Sequence, residues 1–374
     1  MISAADFCST LAGRGHTFFT GVPCSYFQGP IALASADPRL RYVPAANEGA
    51  ALAIAAGAAL AGARPVVLLQ NSGLGNLVNP LASLSLVYGL PALVFVSLRA
   101  DPEGAEDEPQ HRVMGRATGP LLELLGVPTR PLPGDAAALG ELVDEAAARA
   151  RSGLTTAVLV RKGAIGGHPA GAVPAAGRPL TRALAVAAVA AQLAADDVTV
   201  ASTGFLSREL FAARDLPGSF YMQGSMGHAP AIALGIALER PERAVFVIDG
   251  DGAVLMHTGT LSTIGACAPP NLVHVTVDNE AYESTGGQST TSGTTRLEVV
   301  AEGCGYRSAT CCRTLAELEA ALRAARGRRG PCFILVKVGR TAAGEPPRIT
   351  TRYEPADTAD RVRHALRLPP KVET

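Results

Sequence analysis

The sequence has no tryptophan, few aromatic residues (5%) and no excess of either charge, with 33 basic and 33 acidic side chains. Neither sign forms a long run, which excludes a nucleic-acid footprint and a membrane-surface patch and leaves a small molecule as the expected partner. No apolar stretch reaches the ~20 residues that span a bilayer without interruption by glycine, proline or charge. The amino-terminal segment carries Asp6 early and lacks both a basic leader and an apolar core, so no signal or transit peptide is expected. The seven cysteines are odd in number and include no CxxC pair, which removes a zinc site and fits reduced thiols in the cytoplasm. A GxxxxGK[ST] loop and a GxGxxG opening a helix are missing too, and with them the commonest mononucleotide and dinucleotide sites.

What is present is a globular composition, 48% hydrophobic and 18% charged, on a chain of 374 residues. That length exceeds what one hydrophobic core usually supports and predicts two domains. Short β-branched apolar runs at 65–70, 92–97, 156–161, 198–202, 244–249, 272–278 and 332–338 read as buried strands. Alanine- and leucine-rich stretches at 47–62, 135–151, 181–195, 228–239 and 314–326 have helical length. Their alternation predicts an α/β protein with two doubly wound parallel sheets, each covered on both faces. The glycine- and proline-rich stretch 163–180 has no apolar period, so a linker is expected at 169–179 between domains at 1–168 and 180–374.

The most informative segment runs from 244 to 290. One buried strand ends in Gly250-Asp251-Gly252, and another ends 28 positions beyond Asp251 in Asp278-Asn279. Ligands of open parallel sheets sit beyond the carboxyl ends of the strands, so Asp251 and Asn279 are placed to point into one pocket. One carboxylate and one amide suit Mg2+, which takes about six oxygen ligands and often shares them with a phosphate. Gly250 and Gly252 would let the backbone approach phosphates closely, and the helix start near Ala253 offers free amides. The bland alternative is a strand-to-helix turn with an Asp cap.

GDG followed by an Asn pair just under thirty residues later resembles the signature of the thiamine diphosphate enzymes. The resemblance implies that Asp251, Asn279 and the backbone carbonyl of Ala281 bind the metal. This sequence has Asp278 where many members have Asn and Glu280 where many have Gly; the second departure argues against a left-handed backbone at 280 and weakens the Ala281 assignment. The family also needs a partly buried glutamate to hydrogen-bond the aminopyrimidine of the cofactor. VPAANEGAALAIAAGAAL, resembling the family's activating motif, supplies Glu48 as the only charge in a small-residue helix start, where burial would raise its pKa. Gly224 and Met226 in YMQGSMGHA match a turn that holds the cofactor bent, with core filler the alternative for Met226. Thr203 and Gly204 follow a strand and would face the diphosphate, unless they simply cap a helix. A cofactor gripped by two domain types implies a homodimer or larger homo-oligomer with thiamine diphosphate at the subunit interface.

Over most of the chain, GVPCSYF, QNSGLGNLVNPLASL, DEPQHRVMGRAT, STGFLSREL and GSMGHA resemble the phosphonopyruvate decarboxylase family and its near relatives, the sulfopyruvate decarboxylases. The resemblance implies a decarboxylase of a small anionic 2-oxo acid, without a central third domain. Such a substrate calls for cations and donors, for which Ser25, Asn71, Ser72, His111, Arg112 and Arg116 are the candidates. His111 or His228 would supply the proton required after carbon dioxide leaves, and the sequence does not choose between them.

Overall fold

The computed structural model describes residues 1–166, 177–340 and 346–367, so most of the expected linker at 169–179 lies outside the described residues. Two compact units are present, Met1–Val173 with Tyr282–Gln288, and Pro174–Ala281 with Ser289–Thr374. The first contains a sheet of six strands: β1 (Phe18–Gly21), β2 (Arg41–Pro44), β3 (Pro65–Gln70), β4 (Leu93–Ser97), β5 (Thr129–Pro131) and β6 (Thr156–Val160). The second has another six: β7 (Val198–Ala201), β8 (Ser219–Tyr221), β9 (Val245–Gly250), β10 (Leu272–Asp278), β11 (Ser308–Cys312) and β12 (Cys332–Lys337). All pairings within these two sheets are parallel.

The spatial order is β2-β1-β3-β4-β6-β5 in the first sheet and β8-β7-β9-β10-β12-β11 in the second. The two sheets therefore repeat one topology. In each, the order reverses beside the first strand, and the loops leaving that strand and its later neighbour flank the crevice where ligands of such sheets bind. In the first unit those loops follow β1 and β3, and in the second they follow β7 and β9.

Buried residues alternate between the faces of every central strand, as the pleat requires. In the second sheet Phe246, Ile248, Val275, Ile334 and Val336 pack on one side, while Val245, Val247, Leu272, Phe333 and Leu335 pack on the other. In the first, Val66, Leu68 and Phe95 oppose Val67, Leu69, Val94 and Val96. Apolar residues at every position are what two helix-covered faces demand, which is why these strands read as continuous hydrophobic runs. The helices begin where side chains satisfy free amides: Asn47 accepts from Ala50 N, Asp135 from Ala138 N and Thr181 from Leu184 N.

Candidate active site

In the second unit the 28-residue gap between Asp251 and Asn279 is closed by strand register. Gly250 on β9 stands opposite Val277 on β10, so Asp251 and Asp278-Asn279 emerge side by side at the carboxyl edge. Asp251 opens the short helix Asp251–Met256 and is only 3% exposed. Thr290 Oγ1 and Ser292 Oγ both donate to its Oδ2, the latter at 3.0 Å, and the Ser292 hydroxyl also lies 2.8 Å from Asp278 Oδ1. Burial first, and the neighbouring Asp278 second, push the Asp251 carboxyl well above the usual carboxylate range. A cation beside it would relieve both penalties. Asn279 is buried, and its Oδ1 accepts from Ala281 N at 3.0 Å.

The expectation for residue 280 is overturned. Glu280 does adopt a left-handed backbone, at φ 58°, despite its side chain. The conformation is held from outside: Arg178 Nη2 lies 2.6 Å and Lys337 Nζ 3.2 Å from Glu280 Oε1, and Lys337 also reaches Asp278 at 2.6 Å. The sequence rule counted the steric cost of a Cβ but not two cations distant in the chain.

The loop after β7 carries Thr203 and Gly204 to the same edge, where Ser202 N bonds Ile248 O at 2.8 Å. Thr203 Oγ1 donates to the carbonyl of Gln223 at 2.9 Å, which ties this loop to the turn containing Gly224 and Met226. Met226 is half-buried. His228 packs against His257 with ring centroids 4.3 Å apart and the ring planes tilted by 50°. Gly227 makes that contact possible, since at φ 85° a Cβ there would stand 2.6 Å from His257 Cδ2. Two polar groups missed from sequence lie here: the Gln223 amide and His257 Nε2 are buried without a hydrogen-bond partner among the described residues. Orphaned buried donors and acceptors of this kind fit a polar ligand.

In the first unit Glu48 begins the helix Glu48–Leu60 and is 5% exposed. Asn76 Nδ2 donates to its Oε2 at 2.8 Å. Desolvation outweighs that bond and raises the pKa. Gly73 leaves the space the carboxyl occupies: a Cβ there would fall 1.9 Å from Glu48 Oε1 and 2.1 Å from Cδ. Gly73 and Asn76 lie in a segment whose resemblance was noted, but nothing in their spacing ties them to Glu48. Because the obstructed group is the free end of a flexible side chain, Gly73→Ala should displace the carboxyl rather than unfold the protein. We expect turnover to fall about 100-fold, the scale of a lost general acid–base group, with an unchanged thermal melt; full kcat in the variant would refute the spatial role.

The loops after β1 and β3 place Ser25 and Ser72 at the surface of the first unit. Ser72 Oγ accepts from Gln70 Nε2 at 2.5 Å. Asn71 differs from expectation. Its amide donates to Arg99 O (3.0 Å) and Thr118 Oγ1 (3.2 Å) and accepts from Arg99 N (3.2 Å), so its hydrogens are committed to holding the loop after β4. His111 is buried, with Nδ1 3.3 Å from Asp107 Oδ1, and Asp107 grips Arg99 through two bonds of 2.6 Å. Burial, then Arg99, lowers the His111 pKa. Arg112 is exposed and pairs with exposed Glu106 at 2.9 Å, and Arg116 is exposed.

Residues 2–113 match the family described as thiamine pyrophosphate enzyme, N-terminal TPP binding domain, and residues 200–336 match the C-terminal TPP binding domain. The chain is 40% identical over 388 residues to the phosphonopyruvate decarboxylase of Streptomyces viridochromogenes, covering 99% of this chain and 96% of the relative. This chain is a member of the thiamine pyrophosphate-dependent decarboxylases. A phosphonopyruvate decarboxylase of Streptomyces hygroscopicus is likewise 40% identical, over 97% of this chain and 94% of its own. The sulfopyruvate decarboxylase of Methanosarcina acetivorans is 30% identical, over 87% and 89%.

As a thiamine pyrophosphate-dependent decarboxylase the protein is a carboxy-lyase, and its residues fit the cofactor on chemical grounds. The orphaned Gln223 amide supplies unsatisfied polar atoms, and the buried Asp251 carboxyl and Asn279 side chain, which leave adjacent strands side by side, carry oxygens of the kind hard cations take. No helix among the described residues of this decarboxylase is long and apolar enough to cross a membrane.

Proposed function

We propose that the protein converts phosphonopyruvate to phosphonoacetaldehyde and carbon dioxide without oxidation, using thiamine diphosphate and Mg2+, as a step of phosphonate biosynthesis in the cytoplasm. The observation that carries the reading is Glu48, a carboxyl buried at a helix start with a raised pKa and a glycine-made space around it. Support for the phosphonate substrate is the end-to-end likeness to two phosphonopyruvate decarboxylases at 40% identity, against 30% for the sulfopyruvate enzyme.

When bound, the cofactor supplies a sink for the electron pair left as carbon dioxide departs. Glu48 shares its carboxyl proton with the aminopyrimidine nitrogen, and Asn76 orients that carboxyl. Asp251, Asn279 and the Ala281 carbonyl hold Mg2+, while Thr203, Gly204 and the backbone of Gly250, Gly252 and Ala253 receive the diphosphate. Gly224 and Met226 seat the rings. Ser25, Ser72, Arg112 and Arg116 offer donors to the phosphonate and carboxylate, with Asn71 acting through the loop it anchors. Either His111 or His228 delivers the final proton, in the case of His111 from Nε2, because Nδ1 faces Asp107. The same reading calls for a homodimer or larger homo-oligomer with cofactor at the subunit interface, checked by light scattering.

The test is aldehyde release from phosphonopyruvate, sulfopyruvate and pyruvate under equal conditions with cofactor and Mg2+ present. Phosphonopyruvate should give the highest kcat/KM, and Arg112→Ala or Arg116→Ala should raise its KM about 10-fold, the scale of one charge-assisted hydrogen bond. Equal rates on pyruvate would defeat the anion-pocket assignment, and faster turnover of sulfopyruvate would transfer the function to the sulfonate.

A further inference from the structure

The loop Asp278–Ala281 is braced by cations that no motif reading assigns. Glu280 at φ 58° is in a region that side chains other than glycine, asparagine and aspartate seldom enter. Two cations reach its carboxylate, Arg178 at 2.6 Å and Lys337 at 3.2 Å. Arg340 holds the backbone itself, its Nη2 donating to Glu280 O at 2.7 Å and its Nε to Asn279 O at 3.3 Å. Glu280 N bonds Asp278 Oδ1 at 3.0 Å, and Glu280 O also accepts from Thr290 N at 3.1 Å, beside the hydroxyl that binds Asp251. Lys337 is buried and pairs with Asp278 at 2.6 Å, so the second carboxylate near Asp251 is already matched by a positive charge.

We propose that Glu280, clamped by Arg178 and Lys337, is a positioning residue that fixes the backbone of the metal-binding loop and so does by ion pairing what a glycine would do by lacking a side chain. A glycine at 280 would reach the left-handed conformation freely but would not be held there. Glu280 reaches it under strain and is held by two charges, Arg178 ahead of the second sheet and Lys337 at the carboxyl end of β12. The carbonyl of Ala281 and the amide of Asn279 are thereby set before the ion arrives, and the charge of Asp278 is answered within the protein.

This inference rests on the metal assignment proposed above, so the experiment separates the two. Binding of Mn2+ to the full-length protein saturated with thiamine diphosphate is titrated by electron paramagnetic resonance of the free ion, which reads affinity without reference to turnover. Glu280→Ala retains the strained backbone and loses the clamp, and should weaken Mn2+ about tenfold. Glu280→Gly loses both strain and clamp, and should stay within about threefold of the native protein. Arg178→Met should weaken Mn2+ severalfold alone and have no effect in the Glu280→Gly background. Equal affinities for Glu280→Ala and Glu280→Gly, or an Arg178→Met effect that persists in the Glu280→Gly background, would overturn the clamp. Asp251→Ala is the control for the underlying assignment: if it binds Mn2+ as the native protein does, the metal reading fails and the inference fails with it, whereas its loss of binding leaves the Glu280 variants to decide.

Discussion

Glu48→Gln is expected to lower kcat by roughly 10²–10⁴-fold, the range ascribed to a positioned acid–base group, while thiamine diphosphate still binds within a few fold of the native affinity. Glutamine keeps the shape of the side chain and its bond with Asn76, but it has no carboxyl proton to share. A second consequence concerns stability. The folded-state pKa of Glu48 is raised, with burial the leading cause. Its contribution is therefore fully present below the pKa of the unfolded chain and is lost as pH rises through the higher folded value. The variant has no such loss. Without cofactor, Glu48→Gln should gain in melting temperature relative to the native protein as pH is raised above the usual carboxylate range. Parallel pH profiles for the two proteins, or turnover near the native level, would remove Glu48 from its role.

The second large effect is at Asp251. Asp251→Asn should lose at least about 100-fold in retention of thiamine diphosphate and Mg2+, because a buried carboxylate gives an ion far more than a neutral amide does. Cofactor retained after gel filtration, measured by oxidation to a fluorescent product, is the check. The same variant should be no less stable than the native protein when both are stripped of ligands, and slightly more so at neutral pH. Asp251 is buried next to Asp278, and the asparagine oxygen can still accept from Thr290 and Ser292. Sites that bind ions commonly carry such a cost in the unliganded protein. Tight cofactor binding by Asp251→Asn would refute the metal assignment.

Most central strands were legible in the sequence because burial on both faces leaves an uninterrupted apolar run, as in Val66–Leu69 or Val245–Ile248, whereas the central strand Phe18–Gly21, only four residues long and ending in threonine and glycine, was missed. The edge strands were not. Arg41–Pro44 and Thr129–Pro131 are short, carry arginine and proline, and bury little, so no periodic signal marks them. At the site, residues adjacent to a strand end or a helix start could be read, since topology alone brings Asp251 beside Asn279. The groups that complete the environment could not: Gly73 and Asn76 reach Glu48 from another helix, and Arg178 and Lys337 reach Glu280 from segments 102 and 57 positions away. Glu280 was misjudged for that reason.

Exclusively parallel pairing in both sheets also bears on how the chain folds. Adjacent parallel strands cannot be joined by a tight turn and require a crossover of about a dozen residues or more. Within the two six-stranded sheets no hairpin is available as a local nucleus, and the central pairs β1–β3, β4–β6, β7–β9 and β10–β12 each join strands that have another element inserted between them in the chain. High contact order of this sort slows the search for native pairings and prolongs the exposure of β-branched segments. Refolding from denaturant should accordingly be slow and concentration-sensitive, with yields that improve on dilution.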